Sequence, residues 1–211
     1  MKKQAKAAQR LEQEKKIKEE KEAKEAALQA AKGAKLAAEA SATKVATEIV
    51  ASGKKGDALS SHIKSLEVST TVSAFVKEVL SKLSTATDLA WCKQSEYGGA
   101  LKTLGEIHGI KAQVDALYAI QVYCHNIKFP KVDSKGQPKY YIEVLFQVLY
   151  GNELIEDAAF QAWADDDNDE YPGRVNAIVQ TTAFISFLNE APDADEQDED
   201  EEIDAPREFI Q

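Results

Sequence analysis

The sequence is short of the residues from which reactive centres are built. Its 211 residues include two cysteines, three histidines and one methionine. Cys92 and Cys124 give neither a disulfide framework nor a metal-ligand spacing. His62, His108 and His125 stand apart from one another and from any nucleophile motif. Cys124 and His125 diverge by about 100° on a helix, so adjacency does not make them a Cys–His pair. The glycine-rich loops that cradle phosphates are absent. No catalytic residue, cofactor or metal is therefore expected, and the chain is not expected to be an enzyme. The N-terminal residues hold no apolar signal-type core, and no apolar run reaches the roughly 18 residues of a membrane span. A soluble, cytoplasmic protein with reduced thiols and no membrane contact is expected.

Proline and glycine are also scarce, at five and ten, while Ala, Leu, Lys and Glu dominate. These side chains lose little rotamer freedom on a helix, so the composition favours an all-α fold. The formal charge of −10 is unevenly placed. Residues 1–40 hold eleven Lys/Arg and seven Asp/Glu, whereas 190–204 hold ten acids and no base. Such a chain repels nucleic acid overall and favours basic partners. RNA contact is open only to residues 1–40, which lack an aromatic residue for stacking.

Residues 1–52 read as a charged helical linker, with Glu14–Lys18 and Glu20–Lys24 spaced four apart in the favourable order. Gly53 and Gly56 suggest a boundary. Helices are then expected over about 58–66, capped by Asp57, and 71–83, capped by Ser69 or Thr70. Another is expected near 86–95, interrupted by Gly98-Gly99, and a further stretch ends near Gly109. Residues 111–128 form the most apolar helix, stopped at Phe129-Pro130. A turn-rich loop over 131–138 precedes a helix over 139–150. Asn152 is expected to cap a helix over 153–165. An acidic loop, Asp165 to Glu170, leads to the last helix, 174–190, and an acidic, disordered tail fills 192–211. No segment reads as a strand. Successive amphipathic helices with short connectors fit a HEAT-like stack of antiparallel helix pairs over 57–191.

Three blocks in the C-terminal part carry a resemblance. DALYAIQVYCHNIKFPK (115–131), LYGNELIEDAAFQAW (149–163) and EYPGRVNAIVQTTAFISFLNEA (170–191) stand in the order and spacing of the C-terminal domain of the translation initiation factor 4-gamma family. The second and third blocks are similar to that family's acidic-and-aromatic boxes, and all three are most like those of its short paralogue. The resemblance is good over 111–196, weaker over 57–110 and absent over 1–52. It implies a HEAT-type adaptor or scaffold in translation initiation. Such an adaptor docks Lys-rich segments of initiation factors such as initiation factor 2 beta, or recruits a MAP-kinase-interacting kinase, within the ribosomal pre-initiation complex. Phe187-Leu188 stand where the family has Trp-Leu, and the glutamate cluster is displaced into the tail, which weakens the case for the kinase. The loop 131–138 is longer than the family pattern.

The candidate docking residues are Glu153, Glu156, Asp157, Asp165, Asp166, Asp167, Asp169, Glu170 and Glu190. Glu153 and Asp157 are four apart, so a helix would point them the same way. By spacing alone they are either a patch for a Lys/Arg segment or an ordinary solvated face. The resemblance favours the patch. Phe160, Trp163, Phe184 and Phe187 are expected to pack in the core beneath it. The aspartate run is not an EF-hand, lacking Gly at the sixth position and Glu at the twelfth. The competing reading makes the charged N-terminal helix the active part, as a structural linker or a ribosome- or RNA-contacting arm, with no docking in the helical domain.

Overall fold

The Ala/Lys/Glu-rich N-terminal residues form one continuous helix, α1 (Lys2–Ala51), about 75 Å long. The computed structural model describes residues 2–66, 71–167 and 170–190, with side chains from Lys18 onward apart from Glu19. The expected acidic tail, Asp169 and the candidate caps Ser69 and Thr70 lie outside these residues. Lys24 Nζ lies 2.7 Å from Glu20, the expected pairing, on an exposed face. The end of α1 differs in kind. Ala42 and Ala46 pack on Ala74, while Ile49 and Val50 enter the main core. The packed unit thus begins inside the segment read as a linker, because small residues let α1 approach its neighbour closely.

Beyond Gly53 come α2 (Gly56–Ser65) and α3 (Val72–Ser81). Thr71 Oγ1 accepts from Ala74 N at 3.1 Å, so the cap of α3 sits later than expected. Asp57 lies in the first turn of α2 rather than capping it. The helix expected near 86–95 is instead a short 3-10 turn (Ala90–Cys92) and a π turn (Gln94–Gly98). Lys55 pairs with Glu96 and ties that π turn to the start of α2. Gly98-Gly99 lead straight into α4 (Gly99–Asn126) rather than interrupting it. The break within α4 falls at Gly109, as expected, with φ 73° and ψ −175°.

A β-hairpin replaces the expected loop. Strands β1 (Lys131–Ser134) and β2 (Gln137–Tyr140) pair antiparallel, with Ser134 opposite Gln137. Lys135 and Gly136 both have positive φ, the conformation a two-residue hairpin turn demands. Helices α5 (Tyr141–Gly151), α6 (Asp157–Asp165) and α7 (Arg174–Glu190) complete the all-α stack. α3 packs on α1 and α4, α4 on α2 and α6, and α7 on α5 and α6. The core between α5, α6 and α7 is aromatic: Phe146 lies 5.2 Å from Phe160 and 5.0 Å from Trp163, and Phe160 lies 5.1 Å from Phe184. Each such contact contributes about 0.5–1.5 kcal/mol beyond the buried area.

One core assignment needs correction: Phe187 is 54% exposed. Val175 and Val179 of the same helix are 74% and 67% exposed. Ala177, Thr181, Phe184 and Leu188 form the inward line of α7, which turns Val175 and Val179 to the far side and Phe187 to the flank. No described helix covers that side.

No helix among the described residues is long and apolar enough to cross a membrane. Cys92 and Cys124 are free and buried. Burial pushes the Cys124 thiol up to about 12 and also raises that of Cys92, where Asp88 adds to the effect. A raised thiol pKa disfavours the reactive thiolate in the fold, so both cysteines should resist a thiol-specific reagent at mildly alkaline pH. Two equivalents should react once denaturant is added, and fast reaction of the native chain would contradict this burial. Gly109→Ala should cost about 1–3 kcal/mol, because its backbone angles are closed to other residues although nothing crowds its Cβ position. Denaturant unfolding measures the loss.

Candidate functional site

The site is built by a turn between two helices. α5 ends at Gly151, and the chain reverses through Asn152 and Glu153, whose φ is 53°. Glu153 N donates to Tyr150 O at 2.8 Å and Leu154 N to Leu149 O at 2.9 Å. Leu154 and Ile155 are buried. With both apolar residues of the turn drawn into the core, Glu153, Glu156 and Asp157 face solvent. Asn152 is therefore the C-cap of α5 rather than the cap of the next helix, and α6 starts only at Asp157. Glu153 and Asp157 do not share a helix face. The turn, not a helical repeat, brings them together.

Gln113 fixes the position of this turn. Its side chain is buried, its Nε2 donates to Glu156 Oε1 at 2.7 Å, and its Oε1 accepts from Glu156 N at 2.8 Å. Residues of α4 complete a groove of about 370 Å³, lined by Lys102, Glu106, Gln113, Tyr150 and residues 153–157. Four carboxylates, those of Glu106, Glu153, Glu156 and Asp157, surround it with one ammonium, that of Lys102. Lys102 Nζ lies 3.0 Å from Glu153 Oε2, a solvent-screened pair that holds Glu153 only weakly. Tyr150, Leu154 and Ile155 supply apolar lining. The groove can therefore take an extended cationic side chain, its stem against apolar atoms and its charge among carboxylates.

The remaining acids form a second cluster beyond the other end of α6. Asp165, Asp166, Asp167 and Glu170 are exposed, but Asp166 is engaged in the fold. Tyr118 Oη donates to Asp166 Oδ2 at 2.7 Å, and Arg174 Nη2 donates to the carbonyls of Asp166 at 2.6 Å and Ala164 at 3.0 Å. The Arg174 guanidinium lies 4.7 Å from the Trp163 ring centre, and Tyr118 stacks on Tyr171 at 4.3 Å. Burial, then the bond to Asp166, raises the Tyr118 hydroxyl pKa. Glu190 is exposed at the last turn of α7. Phe160, Trp163 and Phe184 are buried beneath these surfaces. Lys102, Glu106, Gln113 and Tyr150 were missed from sequence. Lys102 and Glu106 are four apart, but nothing local ties them to residues some fifty positions away.

Residues 112–202 match the family W2: eIF4-gamma/eIF5/eIF2-epsilon. The match covers 91 of the 211 residues, less than half of the chain. Eukaryotic translation initiation factor 4 gamma 2 of Mus musculus, and likewise of Homo sapiens and Oryctolagus cuniculus, is 37% identical over 95 residues. That stretch is 45% of this chain and 9% of each of those proteins. The W2 segment holds Gln113, Glu153, Glu156 and Asp157, while Lys102 and Glu106 lie just before it. One wall of the groove thus comes from the part of α4 that precedes the family match.

Gln113→Ala should cost about 1–3 kcal/mol, since Glu156 N loses its buried acceptor. Hydrogen exchange at the Glu156 amide should rise well beyond that of the α5 core. Equal protection in wild type and variant would remove Gln113 from this role.

Proposed function

We propose that the W2 segment is a non-catalytic docking module of a cytoplasmic translation initiation scaffold, taking a Lys-rich segment of another initiation factor in the acidic groove. The observation that carries this reading is the grouping of Glu106, Glu153, Glu156 and Asp157 around one partly apolar groove, with Gln113 holding its rim. Preorganised carboxylates avoid much of the ordering cost of binding, and like charge in a cleft speeds capture of a cation. The lysine-rich segment of initiation factor 2 beta fits this chemistry. A MAP-kinase-interacting kinase is the less favoured partner, because Phe187 replaces the family's Trp and the acids after it are displaced. The second cluster, Asp165 to Glu170, together with Glu190, supplies longer-range attraction within the pre-initiation complex.

Glu153→Lys with Asp157→Lys should reduce capture of a lysine-rich initiation factor 2 beta peptide at least tenfold, with the circular dichroism spectrum unchanged. Unchanged capture would sink the groove as the docking site. Lys102→Ala should strengthen the same binding several-fold by removing the one cation among the described residues that line the groove. If instead deletion of 1–40, which spares the packed end of α1, abolished ribosome association while both groove variants were silent, the N-terminal helix would be the active part.

A further inference from the structure

The β-hairpin and the turn before it form a basic patch on an acidic chain. Lys128, Lys131 and Lys135 are exposed, and among the described residues none is in an ion pair. Lys131 Nζ sits 4.9 Å from the Tyr140 ring centre. Lys139 pairs with Glu143 at 3.2 Å, and Asp133 Oδ1 accepts from Gly136 N at 2.8 Å. The turn conformation thus occupies the hairpin's one carboxylate and presents its lysines outward. The hairpin stands before α5 and the acidic groove lies after it, so the two surfaces occupy opposite ends of one helix.

We propose that the hairpin lysines bind the chain's own acidic segment, residues 198–202. The root of the hairpin lies at the start of α7: a Cβ on Gly173 would meet Phe129 Cζ at 3.0 Å. α7 is 17 residues, about 25 Å long, so its end at Glu190 is about that far from the hairpin root. Asp198 and Glu202 follow Glu190 by eight and twelve residues, an extended reach of about 26–43 Å. The five consecutive acids of 198–202 therefore fall at the distance of Lys128, Lys131 and Lys135 when the chain turns back along α7. Tethering presents them at roughly millimolar effective concentration. RNA is the weaker occupant, because the chain carries a net charge of −10 and nine of its acids lie within 193–204, just after the same helix. This contact does not depend on the docking groove.

A nitroxide placed on Ala205→Cys of the full chain tests it, since the buried native thiols leave that cysteine the reactive one. Amide signals of residues 131–140 should lose at least half their intensity at low salt and recover it at high salt. The loss should vanish in Lys128→Glu/Lys131→Glu/Lys135→Glu. It should also vanish when 198–202 are neutralised by Asp→Asn and Glu→Gln changes, which leave the packed core untouched. Broadening that is absent, falls elsewhere or survives both variants would overturn the proposal. So would hairpin amides that shift with added single-stranded RNA at low salt while the tail label leaves them unbroadened.

Discussion

The C-terminal half depends on three polar side chains of α4 that peg α6 along its length. Gln113 grips the residue before α6 through both its donor and its acceptor. Tyr118 reaches Asp166, the residue after it. Between them Gln121, fully buried, accepts from Trp163 Nε1 at 3.2 Å and donates to the carbonyls of Tyr171 and Pro172. A buried amide without partners costs more than it can return, so each peg specifies one placement of α6 against α4. The aromatic contacts of Phe146, Phe160, Trp163 and Phe184 supply attraction, and the amides supply register.

That arrangement separates two tasks within one acidic-and-aromatic stretch. Phe160 and Trp163 face inward and build the core, while the turn before α6 and the loop after it present carboxylates. The two acidic surfaces are not equivalent. The turn makes a groove with an apolar floor and a wall from α4, suited to gripping a side chain. The loop is cross-linked to the core through Tyr118 and Arg174, so part of its charge serves the fold. The hairpin adds an opposite charge at the far end of α5, leaving the domain polarised along that helix.

Helices with a strong apolar period were legible in the sequence, as were the stops at Gly109 and Phe129-Pro130. What escaped was set by long-range contacts or by unusual backbone. Asn152 reads as a helix cap, yet burial of Leu154 and Ile155 delays α6 by four residues and places Glu153 at positive φ. Pro138 argues against a strand, but a lone hairpin has only edges, where a missing N–H costs little. Phe187 reads as core by composition, and only the packing of α7 shows which of its faces lies inward. Glu153, Glu156 and Asp157 were grouped for a partly mistaken reason, because a turn and not a helical spacing gathers them. The groove's opposite wall carried no local signal at all.

The most direct measurement is amide chemical-shift mapping of the full chain titrated with a lysine-rich peptide. Docking at the groove predicts shifts concentrated at Lys102, Glu106, Gln113 and residues 153–158, weakening steeply as salt is raised. Shifts confined to the 165–170 loop or to α1, or none at all, would contradict it.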